Sequence, residues 1–294
     1  MTWKVNLWSF LVLGIFTLSL FGEETPQDLE LPSVSPFSSQ LDVSYSFGKF
    51  IAIHKNYGKV GLVVAHAINA QFTSLVDLRG YWIDNRSFAE SIGTAIRYKA
   101  SSSKIAWGGN VFFDGLRWKK GSFSQIGLGF EALSDHWDFR FNAYLPLVSE
   151  RIRQVEHYNN FIGDFHATRR QYACHLKGAN AEVGVKNHYY DNRLLIYTAI
   201  GPYYYTHAKI HHFLGCQGRI QVSLNNLLSF EVLGSYDDRF KTCFQGKVSL
   251  SFPLDSLWTL FKSPCTCSRD LYLEPIRRND LILLDKACCW KWNW

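Results

Sequence analysis

The stretch VDLRGYWIDN, residues 76–85, decides the fold of this chain. Val76 and Leu78 alternate with the charged Asp77 and Arg79, which is the period of two expected of a β-strand. One side of this strand is apolar, with a tryptophan further along, and the other carries an acid and a base. Since neither side resembles an ordinary water-exposed surface, the two sides need different surroundings.

The same alternation recurs through the sequence in segments of about ten residues, longer than the five or six usual in soluble proteins. Their second face is rich in Gly, Ala, Ser, Asn and charges of both signs, and aromatic residues lie towards the ends of the apolar face. The clearest cases are SFAESIGTAIRYK (87–99), KIAWGGNVFFD (104–114), WDFRFNAYL (137–145), GRIQVSL (218–224) and TCFQGKVSLSF (242–252).

A membrane-spanning strand needs about 9–11 residues, apolar outward and polar inward, with aromatic residues at both interfaces. Lipid does not permit open strand edges, so such strands close into a barrel. We therefore predict an all-β fold, a transmembrane antiparallel up-and-down β-barrel of the bacterial outer membrane with a short C-terminal tail. A soluble β-sandwich, which also alternates, is the competing interpretation.

Twelve strands are predicted, an even number as in bacterial barrels. They lie near residues 43–53, 60–67, 72–83, 88–99, 103–114, 123–133, 137–147, 178–188, 194–206, 213–224, 227–237 and 241–253. With both barrel termini in the periplasm, short periplasmic turns fall at 68–71, 100–102, 134–136, 189–193 and 225–226. The longest connection, residues 148–177, then faces outward and is net basic, which suits anionic lipid head groups or an ordinary solvated loop.

The composition agrees with an exported barrel. Hydrophobic residues make up 47% of the 294 residues and aromatics 16%, which is high for a soluble domain. The net charge of +6 comes from 31 basic and 25 acidic residues without a dense basic run, so we expect no nucleic-acid partner.

The N-terminus resembles a secretory signal peptide, which we place at residues 1–22. Lys4 precedes an apolar run that ends at Phe21, and Gly22 follows. An uncleaved membrane anchor is the alternative, because the run is near the lower length limit for spanning. Residues 23–40 are polar with three prolines and predict a periplasmic linker before a barrel domain at 41–254.

Four of the seven cysteines lie in the C-terminal tail, residues 255–294: Cys265, Cys267, Cys288 and Cys289. Export places them where disulfides form. Candidate disulfides, thiols that are free or pair with another protein, and a metal site are the alternatives. The spacing lacks the C-x-x-C of structural zinc sites, so no metal is expected.

Charges of both signs fall on the inward face of neighbouring predicted strands. They form either a lattice of ion pairs that holds the lumen together, or a lining that sets pore selectivity or binds a threaded linker. Asp77 and Arg79 are expected to pair with charges on the next strands, such as Arg97. The predicted lumen-lining residues are Asp77, Arg79, Arg97, Lys99, Asp114, Glu131, Asp138, Arg140, Glu182, Lys186, Arg219, Glu231 and Lys247.

An ordered series of segments resembles a known family. VDLRGYWIDNRSFAESIGTAIRY, GGNVFFDG, IGLGFEALSDHWDFRFNAYLPL, GPYYY and, after the barrel, LEPIRRNDLILLD are similar to the barrel domain of inverse autotransporters, the intimin–invasin group. The resemblance covers about residues 41–285. It implies a twelve-stranded outer-membrane barrel, a linker that passes back through the lumen, and a C-terminal passenger at the cell surface.

The chain departs from that family after Leu284, where only DKACCWKWNW remains and no passenger is recognisable. The resemblance therefore implies type V secretion, with the barrel as membrane anchor and translocator for its own C-terminal segment, or for a lost or separate passenger. The expected partners are outer-membrane lipid, the barrel-assembly machinery and periplasmic chaperones.

Three further features of the sequence concern metal binding, the pore and catalysis. THAKIHH places His207, His211 and His212 in a loop that could bind metal or be simply polar, and DSLWTLFK (255–262) predicts a short helix in the pore or the periplasm. No G-x-S-x-G or similar arrangement is present, so we expect no enzyme and no cofactor. The alternatives to an anchor are a small diffusion channel and an envelope protein cross-linked through its cysteine-rich tail.

Overall fold

In a computed structural model of the chain, the described residues are 37–84, 87–118, 121–158, 166–190, 193–254 and 274–293. They form fifteen strands: β1 (Phe37–Gly48), β2 (Tyr57–Ala67), β3 (Phe72–Asp84), β4 (Ser87–Tyr98), β5 (Ala106–Trp118), β6 (Gly121–Leu133), β7 (Trp137–Pro146), β8 (Glu150–Tyr158), β9 (His166–His175), β10 (Lys177–Tyr189), β11 (Leu194–His207), β12 (Ile210–Leu224), β13 (Leu228–Asp237), β14 (Lys241–Pro253) and β15 (Leu284–Asn293). Within these ranges no helix is long and apolar enough to span a bilayer.

Twelve of the strands close into an antiparallel barrel, as predicted. Consecutive strands pair throughout, except that β7 pairs with β10. The ring closes between β1 and β14, for example with Tyr45 opposite Val248. The two intervening strands, β8 and β9, leave the barrel as a hairpin, and β15 adds to the edge of β9. We call this three-stranded sheet of β8, β9 and β15 the outer sheet.

The period of two in the sequence produces the two faces of the barrel. Along β4, from Ser87 to Tyr98, burial alternates residue by residue, with Ile92 and Ile96 exposed and Arg97 fully buried. Because strand side chains point alternately to opposite sides, the exposed set lies on the outside of the barrel and the buried set lines its lumen.

The outside of the barrel carries an aliphatic belt between two rings of aromatic residues. The aliphatic belt includes Val43, Leu78, Ile92, Val111, Leu128, Val183, Ile200, Ile220, Val232 and Leu250. One ring, at the end where β1 begins and β14 finishes, includes Phe37, Phe72, Trp107, Phe130, Trp137, Tyr189 and Phe230. The other ring includes Phe47, Trp82, Tyr204, Tyr236 and Phe244. We call the first end the entry end and the opposite one the exit end.

The structure corrects the predicted boundaries in two places. The first strand spans Phe37–Gly48 rather than 43–53, because its early residues pair with β2, as Phe37 does with His66. The expected linker therefore ends before Phe37 rather than at residue 40. The long connection expected as a loop contains β8 and β9, and the tail contains β15.

The predicted contrast in loop length holds only in part. At the entry end the β12–β13 turn is short and uses Asn225 and Asn226 at φ 50° and 56°, a left-handed conformation that asparagine tolerates, but the β4–β5 connection spans residues 99–105. At the exit end most turns are short as well, and the longest connections between barrel strands are the β8–β9 region and the eight residues between Gly48 and Tyr57. The signal peptide, the predicted helix at 255–262, Cys265 and Cys267 lie outside the described residues.

Candidate functional site in the barrel lumen

The lumen contains a stretch of the chain itself. After β14 finishes at the entry end, residues Glu274–Leu283 run through the barrel without regular secondary structure, with bends at Arg278, Asp280 and Leu281, and continue into β15. We call Glu274–Leu283 the threaded segment. Its side chains contact strands all around the barrel wall, so the segment lies within the lumen rather than along one side of it.

Glu274 is held at the entry end by two basic side chains. One carboxylate oxygen accepts a hydrogen bond from Arg140 Nη2 at 2.7 Å, and the other accepts one from Lys186 Nζ at 2.6 Å. Lys186 also donates to the carbonyl of Ser134 in the β6–β7 turn, at 3.0 Å. Glu274 is 1% exposed. A carboxylate buried this deeply is tolerated because it is paired and hydrogen-bonded.

Two arginines follow near the middle of the lumen. Arg278 forms a bidentate pair with Asp114, with nitrogen–oxygen distances of 2.8 and 2.5 Å, and its guanidinium lies 4.2 Å from the ring centre of Phe112. Arg277 stacks 4.0 Å from the ring centre of Tyr197. The planar guanidinium suits both contacts, since it donates in parallel to a carboxylate and stacks on an aromatic face.

A glycine in the wall makes room for the first of these pairs. A Cβ atom on Gly127 of β6 would lie 2.5 Å from Nη2 of Arg278. Any larger residue at position 127 would therefore displace the guanidinium from its place beside Asp114.

Near the exit end, the segment is held by hydrogen bonds to polar side chains of the wall. Asp280 accepts hydrogen bonds from Lys247 Nζ at 2.9 Å and from the hydroxyl of Tyr57 at 3.1 Å. The side-chain amide of Asn279 donates to the hydroxyl of Tyr205 at 2.7 Å, and its backbone N–H donates to the hydroxyl of Tyr144 at 2.8 Å. Along the segment, the acidic Glu274 and Asp280 thus flank the two arginines.

The wall also satisfies the backbone of the threaded segment. The carbonyl of Pro275 accepts from Arg140 at 3.2 Å, and that of Ile276 accepts from Arg79 at 2.7 Å. The carbonyl of Arg277 accepts from Asn142 at 3.3 Å. A segment without sheet partners would otherwise leave these carbonyls unsatisfied inside the barrel.

Hydrophobic packing closes the exit end. Leu281, Ile282 and Leu283 belong to one buried cluster, together with residues of the β1–β2 connection, the outer sheet and the exit-end turns. The backbone N–H of Leu176, between β9 and β10, donates to the carbonyl of Leu283 at 3.0 Å. Other members of the cluster are Phe50, Ile51, Ala173, Cys174, Phe213 and Ala287.

From this cluster the chain continues into the outer sheet. β15 pairs with β9 along its whole length, from Leu284 opposite His175 to Asn293 opposite His166. Asp285 on β15 also forms an ion pair with Arg239 in the β13–β14 turn. The hairpin of β8 and β9 therefore holds the segment at the point where it leaves the barrel.

Twelve of the thirteen predicted lumen-lining residues lie on barrel strands with their side chains in the lumen. Five contact the threaded segment directly through side-chain pairs or carbonyls: Arg79, Asp114, Arg140, Lys186 and Lys247. Glu231 lies 4.0 Å from Arg277. Lys99 is the exception, because β4 finishes at Tyr98 and Lys99 lies in the turn that follows.

The remaining wall charges pair with one another. Arg97 donates to Glu131 at 2.6 Å, and Arg219 donates to Glu182 at 3.2 Å. Asp138 lies 3.0 Å from Arg140 and accepts from the hydroxyl of Tyr197 at 2.8 Å, and Arg219 also donates to Glu231 at 2.8 Å. Asp77 pairs with Arg79 of its own strand rather than with Arg97, because residues two apart lie on the same face of a strand.

Sequence reasoning missed several side chains of the site. Tyr57, Tyr144, Tyr197 and Tyr205 all point inward and contact the threaded segment. The sequence carried a signal for Tyr144, which lies an even number of residues from Asp138 and Arg140 on the same predicted strand and therefore on the same inward face. The wall pair of Asp42 and Lys59, with a 2.6 Å contact, was also missed because the first two strands alternate poorly.

Little space remains beside the threaded segment. A cavity of about 40 Å³ lies between it and the wall, lined by residues such as Asn180, Gln217 and Gln245. This volume holds only one or a few water molecules. This cavity therefore has no room for a solute of nutrient size between the segment and the wall.

The histidines at the exit end do not form a ready metal site. Glu150, Cys174 and His207 lie with their potential ligand atoms within 4.8 Å of one another. However, both ring nitrogens of His207 are engaged, one with the carbonyl of Ser149 at 3.1 Å and the other with the backbone N–H of Lys209 at 3.0 Å. His211 and His212 are exposed on β12 rather than in a loop.

The tail cysteines Cys288 and Cys289 lie on β15, with their backbones opposite Gln171 and Arg170 of β9. Their disulfide chemistry stays a prediction.

Comparison with known proteins supports the fold and goes no further. No protein-family model matches the chain, and no curated protein matches it. One solved structure, from work described as "Unveiling the Mechanism Behind the in-meso Crystallization of Membrane Proteins", has a TM-score of 0.61 at 13% identity over 85% of this chain and 99% of its own.

Two other solved barrels are similar at a lower level. An outer-membrane channel from Pseudomonas putida F1 has a TM-score of 0.46 at 10% identity, over 78% of this chain and 100% of its own. The β-domain of the Bordetella autotransporter BrkA has a TM-score of 0.37 at 10% identity, over 74% and 100%. Both scores are too low to carry an argument about this chain. The strand pairing of the chain itself shows an all-β protein with a closed twelve-stranded antiparallel barrel, whose lumen contains the threaded segment.

Proposed function

We propose that this chain is an outer-membrane barrel of the inverse-autotransporter type. It anchors itself in the membrane and holds its own C-terminal segment, threaded through the lumen, at the cell surface. It makes and breaks no bonds of a substrate, so the proposal involves neither an enzyme nor a cofactor. Its partners are outer-membrane lipid and, during biogenesis, the barrel-assembly machinery and periplasmic chaperones.

One observation carries this proposal. Residues Glu274–Leu283 cross the lumen from the entry end to the exit end and continue into β15, which pairs with β9 on the far side. The chain enters the barrel at the start of β1 and leaves it at the end of β14, and both points lie at the entry end. The threaded segment then carries the chain through the lumen to the exit end. A protein that delivers its C-terminal part across a membrane needs such a path.

The outer surface supports the membrane location. Leu78, Val111 and Ile200 are 39%, 48% and 68% exposed, and they belong to an aliphatic belt bordered by aromatic rings. In water such a belt would favour aggregation, whereas in a bilayer it matches the hydrocarbon layer and its two interfaces. The fold contains no open barrel edge that lipid would leave unsatisfied.

Labelling of the tail in intact cells tests the proposal. A membrane-impermeant thiol reagent is expected to react with Cys288 or Cys289, because β15 lies beyond the exit end. The matched control is the Cys288→Ser/Cys289→Ser variant, in which labelling of the tail peptide, measured separately from that of the exposed Cys216, is lost. If the wild-type tail reacts only after the outer membrane is permeabilised, the tail faces the periplasm and the proposal is wrong.

Two alternatives are separated by further outcomes. A small diffusion channel requires a steady open conductance from the refolded full-length barrel in a planar bilayer, which the occupied lumen argues against. An envelope protein cross-linked through its tail requires a larger species on non-reducing gels that collapses to the monomer on reduction. A protein recovered wholly soluble from the periplasm would contradict the membrane location itself.

A further inference from the structure

The charge order of the threaded segment matches the charge order of the wall. Glu274 meets the basic Arg140 and Lys186, Arg278 meets Asp114, and Asp280 meets Lys247. These wall residues come from β7, β10, β5 and β14, so opposite sides of the barrel contribute to one arrangement. Between the charges, Ile276 packs in a small apolar cluster with Leu75, Ala95 and Phe112.

A shift of the segment by two residues in either direction would break this match. Moving it towards the exit end places Arg278 beside Lys247 and Glu274 in the apolar cluster. Moving it towards the entry end places Asp280 beside Asp114 and Ile276 beside the two bases that hold Glu274. Each shift buries unpaired or like charges, which is strongly unfavourable in a low-dielectric lumen.

We infer that the lumen wall is a sequence-selective binding site for a peptide segment with an acid at its first position, bases at its fourth and fifth, and an acid at its seventh. In this chain the ligand is Glu274–Asp280. Because charges and the apolar cluster match at one register alone, binding determines the point at which threading stops. This inference rests on the proposed function, since a stopping point has meaning only for a segment that moves through the barrel.

Gly127 and Phe112 supply the shape of the site. Gly127 leaves the space that the guanidinium of Arg278 occupies, and Phe112 lies under that guanidinium and beside Arg79. The site therefore selects the segment by volume and by charge, which a lumen that merely surrounded any extended chain would not require.

A cross-link across the apolar cluster reports the register. In an Ala95→Cys/Ile276→Cys background, oxidation is expected to join the two positions, and mass spectrometry of the linked peptides separates this bond from bonds of the native cysteines. Exchanging the charges in Glu274→Arg/Arg278→Glu keeps the length, composition and net charge of the segment. It places each exchanged side chain beside wall residues of its own sign. We expect the yield of the 95–276 bond to fall at least about tenfold, because the exchange breaks the buried pairs at both positions and the loss of one such pair alone exceeds that factor.

The matched control restores the charge order. Arg278→Glu alone is expected to lower the yield, and Asp114→Arg in the same chain is expected to recover most of it, since the pair is then reversed rather than broken. Heat-modifiable mobility identifies assembled barrels, and Arg278→Gln replaces Arg278→Glu if the latter fails to assemble. Equal yields for the exchanged and parent chains, or no recovery in the reversed pair, would overturn the inference.

The two proposals fail in different ways. If the tail of the parent chain is labelled at the surface while charge exchange leaves the cross-link unchanged, the proposed function stands and selection by the wall is wrong. If the cross-link follows the charges but the tail is never labelled from outside, the segment binds as inferred and export is wrong.

Discussion

At the scale of single residues, the lumen contains charges of two kinds. Arg97 and Glu131 pair with each other across the wall, at 2.6 Å, and are 0% and 2% exposed. Arg278 and Asp114, in contrast, join the wall to the threaded segment. Pairs of the first kind are expected to support the barrel itself, and pairs of the second kind to support the segment within it.

Removing one partner of a wall pair tests this distinction. Arg97→Ala leaves the Glu131 carboxylate buried without its guanidinium, which costs about 3–5 kcal/mol in comparable buried pairs. We expect the temperature at which the barrel loses its folded mobility on gels to fall. Arg117→Ala, at an exposed position near the exit end of β5, is the control and should leave that temperature unchanged. Equal temperatures for the two variants would contradict the assignment of Arg97 as a supporting residue.

At the scale of elements, the outer sheet links the barrel to its tail. β9 is paired on both sides, by β8 and by β15, and the barrel holds both ends of the β8–β9 hairpin. The hairpin thus suits a role in holding an exported segment.

A charge at the base of β15 is expected to detach the strand. Ala287 is 8% exposed and packs in the exit-end cluster, so Ala287→Asp buries a carboxylate among apolar side chains, a destabilisation of several kcal/mol. Added protease should then cleave the tail faster, while heat-modifiable mobility of the barrel stays the same. The control is Lys286→Asp, at the adjacent exposed position. Equal cleavage of both variants would show that β15 is not held by this packing.

At the scale of the whole molecule, the barrel is closed by its own chain. Without the threaded segment, Asp114, Arg140, Lys186 and Lys247 would line an open polar channel. A chain that stops after Leu254 is therefore expected to give a steady conductance in planar bilayers once refolded, whereas the full-length chain gives none. Heat-modifiable mobility of the shortened chain confirms that it forms a barrel. Equal conductance of the two barrels would contradict the closed lumen.

Much of this architecture could be predicted from the sequence because period-two alternation is a local property. Twelve long strands with an apolar and a polar face require a closed barrel in lipid, and VDLRGYWIDN already shows the two faces in Leu78 and Arg79. The first strand was misplaced by six residues, since its start alternates weakly and is decided by pairing with β2 and β14. The strand β15 was missed because its partner β9 lies more than a hundred positions earlier in the sequence, and the β8–β9 hairpin was missed because the whole connection was assigned to a loop.

The sequence alone determined which residues face lipid and which face the lumen, because alternation assigns each side chain to a face before any partner is known. Only the tertiary structure decided which charges meet. Asp77 pairs with Arg79, Arg97 with Glu131, and Asp114 with Arg278, which is 164 residues further along the chain. Such partners depend on strand register and on the path of the C-terminal segment, and both are set by the closed ring of strands rather than by any local pattern.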